Sequence, residues 1–377
     1  MFTDVNPSPF TREISLPSSD LWDKQIKRQL LSFNLELTAR CNNNCRHCYI
    51  NLPHDSIEAR AKELTLQELK SLIDEAVSLG ALWCLITGGE PLVREDFSEI
   101  YLYLKRKGLL VSIFTNAALI TEEHIKLFKK YSPRDIEITV YGVTEKTYEM
   151  VTGKKGFYGN FIKNLDGLLK NQIKVRLKTM TLRSNVHELP LIADFCRERT
   201  KDYFRFDPFL HLRYDRNERK NQLIISERLT GEEIIEIEKN DPMRFQLLKK
   251  KCDNITDKND FTGNSRRLFK CGAGNGSFTM SYDGYFRLCS SLCHKDCIYD
   301  LRKGNLTYGW NNFVPEVRNM TGNSEEYLNK CNKCPLINLC YWCPAHADLE
   351  TGSPEKPVEY FCRVADKRVE ELSRKQK

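Results

Sequence analysis

Apolar and polar positions recur along this chain with two different periods, and the switches between them mark its elements. Phe33, Leu35 and Leu37 recur at every second residue, the period of a strand with one covered face. Thr65-Leu66-Gln67-Glu68 is a helix-start signature in which a hydroxyl and a carboxylate satisfy each other's backbone donors. Behind it, Leu66, Leu69, Leu72, Ile73, Ala76 and Val77 follow at three-and-four spacing, and Gly80 closes the helix. The run Leu82-Trp83-Cys84-Leu85-Ile86-Thr87 is apolar on both faces, the mark of a parallel strand covered on both sides, and it stops at Gly88-Gly89-Glu90-Pro91.

The alternation then repeats. The pattern predicts helices over 96–107, 122–130, 161–170 and 189–199, and strands over 109–115, 136–140, 175–181 and 203–207. Six strand–helix units without a hairpin predict an α/β fold of parallel strands with helical crossovers, closed into a partial barrel or spread as an open sheet. The first four strands lead into Cys41, Gly88-Gly89-Glu90-Pro91, Thr115-Asn116 and Tyr141-Gly142. All these polar ends fall on one face, where such folds place their active sites.

Beyond residue 207 the pattern changes. Arg213, Asp215, Arg216, Glu218, Arg219 and Lys220 crowd together, and a surface helix is expected over 231–239. Ser277 to Cys289 reads as a hairpin with Asp283-Gly284 as a type I′ turn. The stretch to Cys362 is loop-rich and needs staples in place of a large apolar core. Val364 to Lys375 reads as a basic terminal helix. The chain thus divides into a leader (1–30), a strand–helix barrel (31–207), a connector packed at the barrel mouth (208–270), a small cysteine-rich domain (271–362) and a terminal helix (363–377).

Composition narrows the classes. Of 377 residues, 29% are charged and 41% apolar, which is globular, and the net charge of +7 is mild. It suits an anionic cofactor or a peptide. No dense Lys/Arg stripe with interleaved aromatics points to nucleic acid. The polar start, with Pro7, Pro9 and Pro17, lacks a signal-peptide core. No run approaches the roughly 18 apolar residues of a membrane span, so a cytoplasmic location is expected. Thiols stay reduced there, and fifteen cysteines, an odd number, fit metal binding better than disulfides.

The cysteine spacings carry the chemistry. Cys41, Cys45 and Cys48 stand at C-x3-C-x2-C directly after the first strand. Three thiolates can hold three corners of an iron–sulfur cube and leave one iron open, whereas an electron-transfer cluster takes four. A zinc ion with three protein ligands and a water is the alternative. At the end of the neighbouring strand, Gly88 and Gly89 allow close backbone approach, Glu90 can accept from a ligand ammonium and Pro91 stiffens the exit. A plain tight turn is the simpler reading of that tetrapeptide alone.

Together these motifs resemble the radical S-adenosylmethionine superfamily, over about Leu31 to Asp207. The resemblance implies a partial (β/α)6 TIM-like barrel and a [4Fe–4S] cluster on Cys41, Cys45 and Cys48. It also implies S-adenosylmethionine held by Gly88, Gly89, Glu90 and Pro91, with its ribose at Thr115 and Asn116. His47 stands where the family usually has Tyr or Phe. The implied chemistry is reductive cleavage of the cofactor to a 5′-deoxyadenosyl radical that abstracts a substrate hydrogen.

A second resemblance lies farther on. Cys271, Gly284 and Cys289, then Cys331-x2-Cys334-x5-Cys340-x2-Cys343 and Cys362, are similar to the seven-cysteine SPASM extension of peptide-modifying radical enzymes. That family usually has three residues, not two, between the positions of Cys340 and Cys343. The resemblance implies two auxiliary iron–sulfur clusters, one on Cys331, Cys334, Cys340 and Cys362, the other on Cys271, Cys289 and Cys343. The fourth ligand of the latter is open among Cys252, Cys293, Cys297 or none. A zinc knuckle is the alternative. Cys84 and Cys196 lie on apolar faces and read as core.

The function expected is oxidative modification of a peptide or protein, such as thioether or carbon–carbon cross-linking. Its partners would be an electron donor such as flavodoxin or ferredoxin and a separate leader-peptide-binding protein. Sulfatase maturation and small-molecule oxidation are alternatives. The sulfatase-maturing branch has Asp directly after the position of Cys289, where this chain has Ser290 and Ser291. A non-catalytic iron–sulfur or zinc protein is the alternative of another class. Asp207, His211 and Arg213 follow the last strand and are candidates to bind substrate or move protons. Glu36, Arg176 and Lys178 are candidates to face the barrel interior.

Overall fold

The computed structural model describes residues 28–253 and 266–373. The expected leader therefore lies outside the described residues except for positions 28–30, as do 254–265 of the connector and the last four residues.

The barrel strands are β1 (Ser32–Thr38), two short bridging strands β2 (Arg40–Cys41) and β3 (Leu52–Pro53), then β4 (Trp83–Gly88), β5 (Leu110–Thr115), β6 (Asp135–Thr139), β7 (Val175–Met180) and β8 (Arg205–Asp207). The main strands pair in parallel in the order β1-β4-β5-β6-β7-β8. This is the partial (β/α)6 barrel that the family resemblance implies. The crossover helices are α1 (Ile57–Lys62), α2 (Leu66–Ser78), α3 (Phe97–Arg106), α4 (Glu122–Lys130), α5 (Glu145–Thr152), α6 (Tyr158–Lys170) and α7 (Leu189–Arg199). The reciprocal cap of Thr65 and Glu68 starts α2 as its sequence requires. Leu69, Leu72, Ile73 and Ala76 of that helix are buried against the sheet core.

Helix α5 is not among the sequence expectations. It is short, and only Tyr148 and Val151 of its apolar residues are buried, too few to show a helical period. Thr144 caps its start and the left-handed Gly153 (φ 63°) its end.

The connector holds three helices, α8 (Glu218–Glu227), α9 (Gly231–Lys239) and α10 (Pro242–Asp253). The expected surface helix is α9: Glu232, Glu236 and Lys239 are exposed, while Ile234, Ile235 and Glu238 form its buried face. Glu238 forms a buried ion pair with Arg368, which belongs to the last helix.

The cysteine-rich segment contributes β9 (Ser277–Met280), β10 (Tyr285–Arg287) and β11 (Ile298–Asp300). β9 runs parallel to β1, and β10 and β11 continue antiparallel, so this segment extends the barrel sheet to nine strands. Phe278 stacks on Phe33 at 5.6 Å across that seam. The β9–β10 hairpin does form, but its turn differs from the expectation. The Ser281 carbonyl accepts from Gly284 N–H at 3.0 Å, and of the turn residues only Gly284 has positive φ (87°). A type I′ turn needs positive φ at both central residues, so this is a turn closed by one left-handed glycine. Short helices α11 (Leu306–Tyr308), α12 (Val314–Arg318) and α13 (Glu325–Asn329) follow, then α14 (Pro344–Thr351) and α15 (Glu359–Leu372). The terminal helix begins five residues before the expected start, and Cys362 sits in its first turn. Among the described residues no helix is long and apolar enough to cross a membrane.

Candidate active site at the barrel mouth

A cavity of about 300 Å³ lies at the carboxyl ends of the strands. Cys41, Cys45 and Cys48 line it from β1, Gly88 and Gly89 from β4, and Thr115 and Asn116 from β5. Thus the two motifs meet in one space. The loop is held from several sides. Asn44 N–H donates to the Thr152 carbonyl at 2.8 Å and Arg46 N–H to the Val151 carbonyl at 3.3 Å, so the end of α5 braces it. Asn116 Nδ2 donates to Asn42 Oδ1 at 2.8 Å.

The glycine pair lines the cavity and also makes a close approach within the protein. A Cβ on Gly88 would stand 2.3 Å from the Thr38 carbonyl oxygen, and one on Gly89 2.3 Å from that of Arg40. Gly89 N–H donates to Thr38 at 2.7 Å and Glu90 N–H to Arg40 at 2.9 Å. The close approach is therefore to the backbone that enters the cysteine loop. Glu90 is fully buried and accepts from the Thr115 hydroxyl at 2.8 Å, Asn116 N–H at 2.7 Å and Leu92 N–H at 3.1 Å. It ties β4 to β5. Burial pushes its carboxyl up to about 7 against those donors. Pro91 begins the single 3-10 turn that follows and is buried.

Burial raises the Cys41 and Cys45 thiols, and the charges of the neighbouring cysteines raise them further. Two of the three thiols, Cys41 and Cys45, are thus held protonated by burial, which suits a cationic centre that deprotonates its thiols outright. Among the described residues no three His, Cys, Asp or Glu side chains are gathered closely enough to hold a single metal ion.

The three substrate-handling candidates separate. Asp207 and His211 line the cavity. Burial pushes the His211 imidazole down to about 3, helped by His346 and Arg228. Its ring lies 4.2 Å from that of His346. Arg213 is not brought to this cavity. It is 1% exposed and donates to the Cys48 carbonyl (3.0 Å), to Asn51 Oδ1 (2.8 Å) and to Asp215 (2.7 Å), so it clamps the exit of the cysteine loop.

Lys178 reaches the cavity, paired with Glu137 and 4.0 Å over the Phe114 ring. Glu36 instead pairs with Arg287 behind it, and Arg176 stays half exposed near Asp135 and Glu137. Sequence reading missed Tyr49 and Tyr214, which wall the cavity with rings 4.8 Å apart. The one available signal was that each directly follows a residue already singled out, Cys48 and Arg213.

The carboxyl-terminal cysteines form two sets. Cys331, Cys334, Cys340 and Cys362 line one cavity of about 350 Å³. Burial first, then each other's charges, push Cys331 and Cys340 up to about 12. Cys343 is pushed up to about 12 by burial and then by Cys289 and Cys271, which marks the second set. Cys293 instead accepts from Arg287 at 2.9 Å, and Cys297 is buried against Met320. Cys252 packs beside Leu339 and Cys340. Cys84 and Cys196 are core residues, each 1% exposed.

The barrel, with its cysteine loop and glycine pair at one end, resembles a radical S-adenosylmethionine domain, and residues 35–196 match the family model "Radical SAM superfamily". The cofactors of that domain are S-adenosylmethionine and a [4Fe–4S] cluster, and the cysteine-rich region fits auxiliary clusters. The chain is 33% identical over 183 residues to the Fe-coproporphyrin III synthase of Methanosarcina barkeri, a match covering 48% of this chain and 44% of that protein. It thus spans less than half of that relative. It is 25% identical over 329 residues to the AdoMet-dependent heme synthase of the same organism, covering 84% of this chain and 92% of that one. Streptococcus suis SuiB bound to the precursor peptide SuiA shares the fold, with a TM-score of 0.63 at 16% identity over 87% of this chain and 75% of that one.

Proposed function

We propose that the protein is a radical S-adenosylmethionine enzyme that oxidises a C–H position of a peptide or protein, as in thioether or carbon–carbon cross-linking. The carboxyl-terminal cysteines beside the barrel mouth carry this reading: Ser290 and Ser291, directly after Cys289, line the main cavity, which suits uptake of a substrate electron next to the reacting carbon.

Cys41, Cys45 and Cys48 would hold the cluster, and Gly88 to Pro91 with Thr115 and Asn116 would hold the cofactor. When bound, this pair supplies a 5′-deoxyadenosyl radical able to remove a substrate hydrogen atom. Tyr49, Tyr141 and Tyr214 exclude water around the reacting carbon. Net oxidation also requires the substrate to lose one electron and one proton. Asp207 and His211 line the cavity, and Asp207, a carboxylate beside the mouth, would take the proton. The two carboxyl-terminal cysteine sets would hold centres whose chemistry is electron uptake.

A second reading follows from the likeness to heme synthase over nearly its whole length: oxidation of an iron porphyrin. The reduced holoprotein should release 5′-deoxyadenosine from S-adenosylmethionine, and Cys45→Ala should abolish this. Coexpression with short Cys- or Thr-rich peptides encoded beside its gene should then yield a peptide lighter by two hydrogens, read by mass spectrometry. Unchanged peptides together with consumption of iron coproporphyrin III would replace the first reading by the second.

A further inference from the structure

A second chamber of about 270 Å³ adjoins the main cavity, and the two share Tyr49, Ile50 and Tyr214 as a common wall. The rest of its wall includes Glu36 of β1, Tyr282 of the β9–β10 turn, and Tyr285 and Arg287 of β10. Four tyrosines thus surround a small space, and tyrosine supplies rigid, amphipathic contact area for gripping a peptide.

One ion pair in this wall is incompletely satisfied. Glu36 is 1% exposed and Arg287 4%. A single contact joins them, from Arg287 Nη2 to Glu36 Oε2. Nη1 donates to the Ser290 carbonyl at 3.2 Å and to Cys293 Sγ at 2.9 Å, and the guanidinium carbon lies 5.1 Å from the centre of the Tyr214 ring. Those contacts hold the guanidinium in place. Glu36 Oε1 and Arg287 Nε have no partner, whereas a bidentate pair would have used both. Buried polar groups left this way are costly, and a ligand that supplies both partners recovers the loss. The other charges of the wall are already engaged: Arg213 pairs with Asp215, and Asp283 accepts from the Ser281 hydroxyl.

A free acceptor and a free donor on one ion pair select the ligand. A carboxylate would set its charge against Glu36, and an ammonium against Arg287. A primary carboxamide carries an N–H and a C=O on the same side and answers both. A trans peptide bond carries them on opposite sides and answers only one.

We propose that this chamber is a specificity subsite for the side-chain carboxamide of an Asn or Gln residue in the substrate, near in sequence to the residue that reacts in the main cavity. This rests on the reading of the substrate as a peptide or protein.

The test uses the oxidised full holoprotein and two probes, Nα-acetyl-glutamine methylamide and Nα-acetyl-glutamate methylamide, with binding read by saturation-transfer NMR. The probes share every backbone amide, so their difference reports the side chain alone. The glutamine probe should bind at least about tenfold more tightly. Glu36→Gln should reverse that preference. The new amide offers an N–H in place of Oε1 and leaves the Arg287 charge unanswered, so the glutamate probe should win by a similar factor. A gain for one probe cannot come from misfolding, and the wild-type comparison stands by itself if the variant does not fold. Equal affinity for the two probes in the wild type, as a chamber filled by ordered water would give, overturns the proposal. So does a glutamine preference that Glu36→Gln leaves intact, since that places the carboxamide elsewhere. Failure of the peptide reading looks different: the probe preference holds while the coexpressed peptides stay unchanged.

Discussion

Gly89 and Glu90 show how single residues set the barrel mouth. A methyl group at Gly89 would meet only backbone, 2.3 Å from the Arg40 oxygen and 2.6 Å from that of Ala39. Neither is a flexible side chain that can turn aside. Gly89→Ala should therefore cost about 3 kcal/mol or more, seen as a lower urea midpoint with an unchanged slope. Glu90 makes a pH prediction. Burial favours its neutral form in the fold, so its contribution to stability is full below the unfolded value of 4.5 and is lost as pH rises through about 7. The shift amounts to about 3 kcal/mol. The melting temperature of the apoprotein should fall between pH 5 and pH 8, and Glu90→Gln should flatten part of that slope. Glu36, also raised by burial, supplies a further part. A profile identical in the variant would show that Glu90 does not titrate there.

Among elements, the cysteine loop depends on segments far along the chain. Its start leans on β4, its middle on the end of α5 and its exit on the segment before α8, through Arg213. Arg213→Met should leave the Cys48 carbonyl and the Asn51 side chain without their donor and cost about 3 kcal/mol. Iron bound to the barrel site should fall while far-ultraviolet circular dichroism stays unchanged. Lysine should not rescue it, because an ammonium cannot fork to Cys48, Asn51 and Asp215 at once. Full iron retention in Arg213→Met would remove the clamp from this account. α5 is the instructive element for sequence reading. Its residues carry little helical period, yet its last turn holds Asn44 and Arg46. The strong periods belong to helices that cover the sheet. Those that shape a site can be short and polar, because their work is done by backbone donors and acceptors.

At the scale of the whole molecule, the cysteine-rich segment continues the barrel sheet through β9, and Cys331, Cys334, Cys340 and Cys362 line a cavity of their own apart from the barrel mouth. Three cluster sites predict about twelve irons per chain by metal analysis of anaerobically purified protein, with matching sulfide. Cys334→Ala should lose about four of them and still release 5′-deoxyadenosine. A total of about four irons, or zinc without sulfide, would sink the three-site reading.

The sequence by itself determined the strand–helix order, the parallel pairing with helical crossovers and the C-x3-C-x2-C loop at the end of β1. Those properties are written in spacing within one segment, where chain geometry leaves few choices. Tertiary structure decided what each motif touches: that Gly88 and Gly89 brace the loop entry, that Arg213 serves the loop and His211 the cavity, and that Ile234 and Ile235 of α9 are buried. Such outcomes depend on contacts between residues tens to hundreds of positions apart, and no local period encodes them.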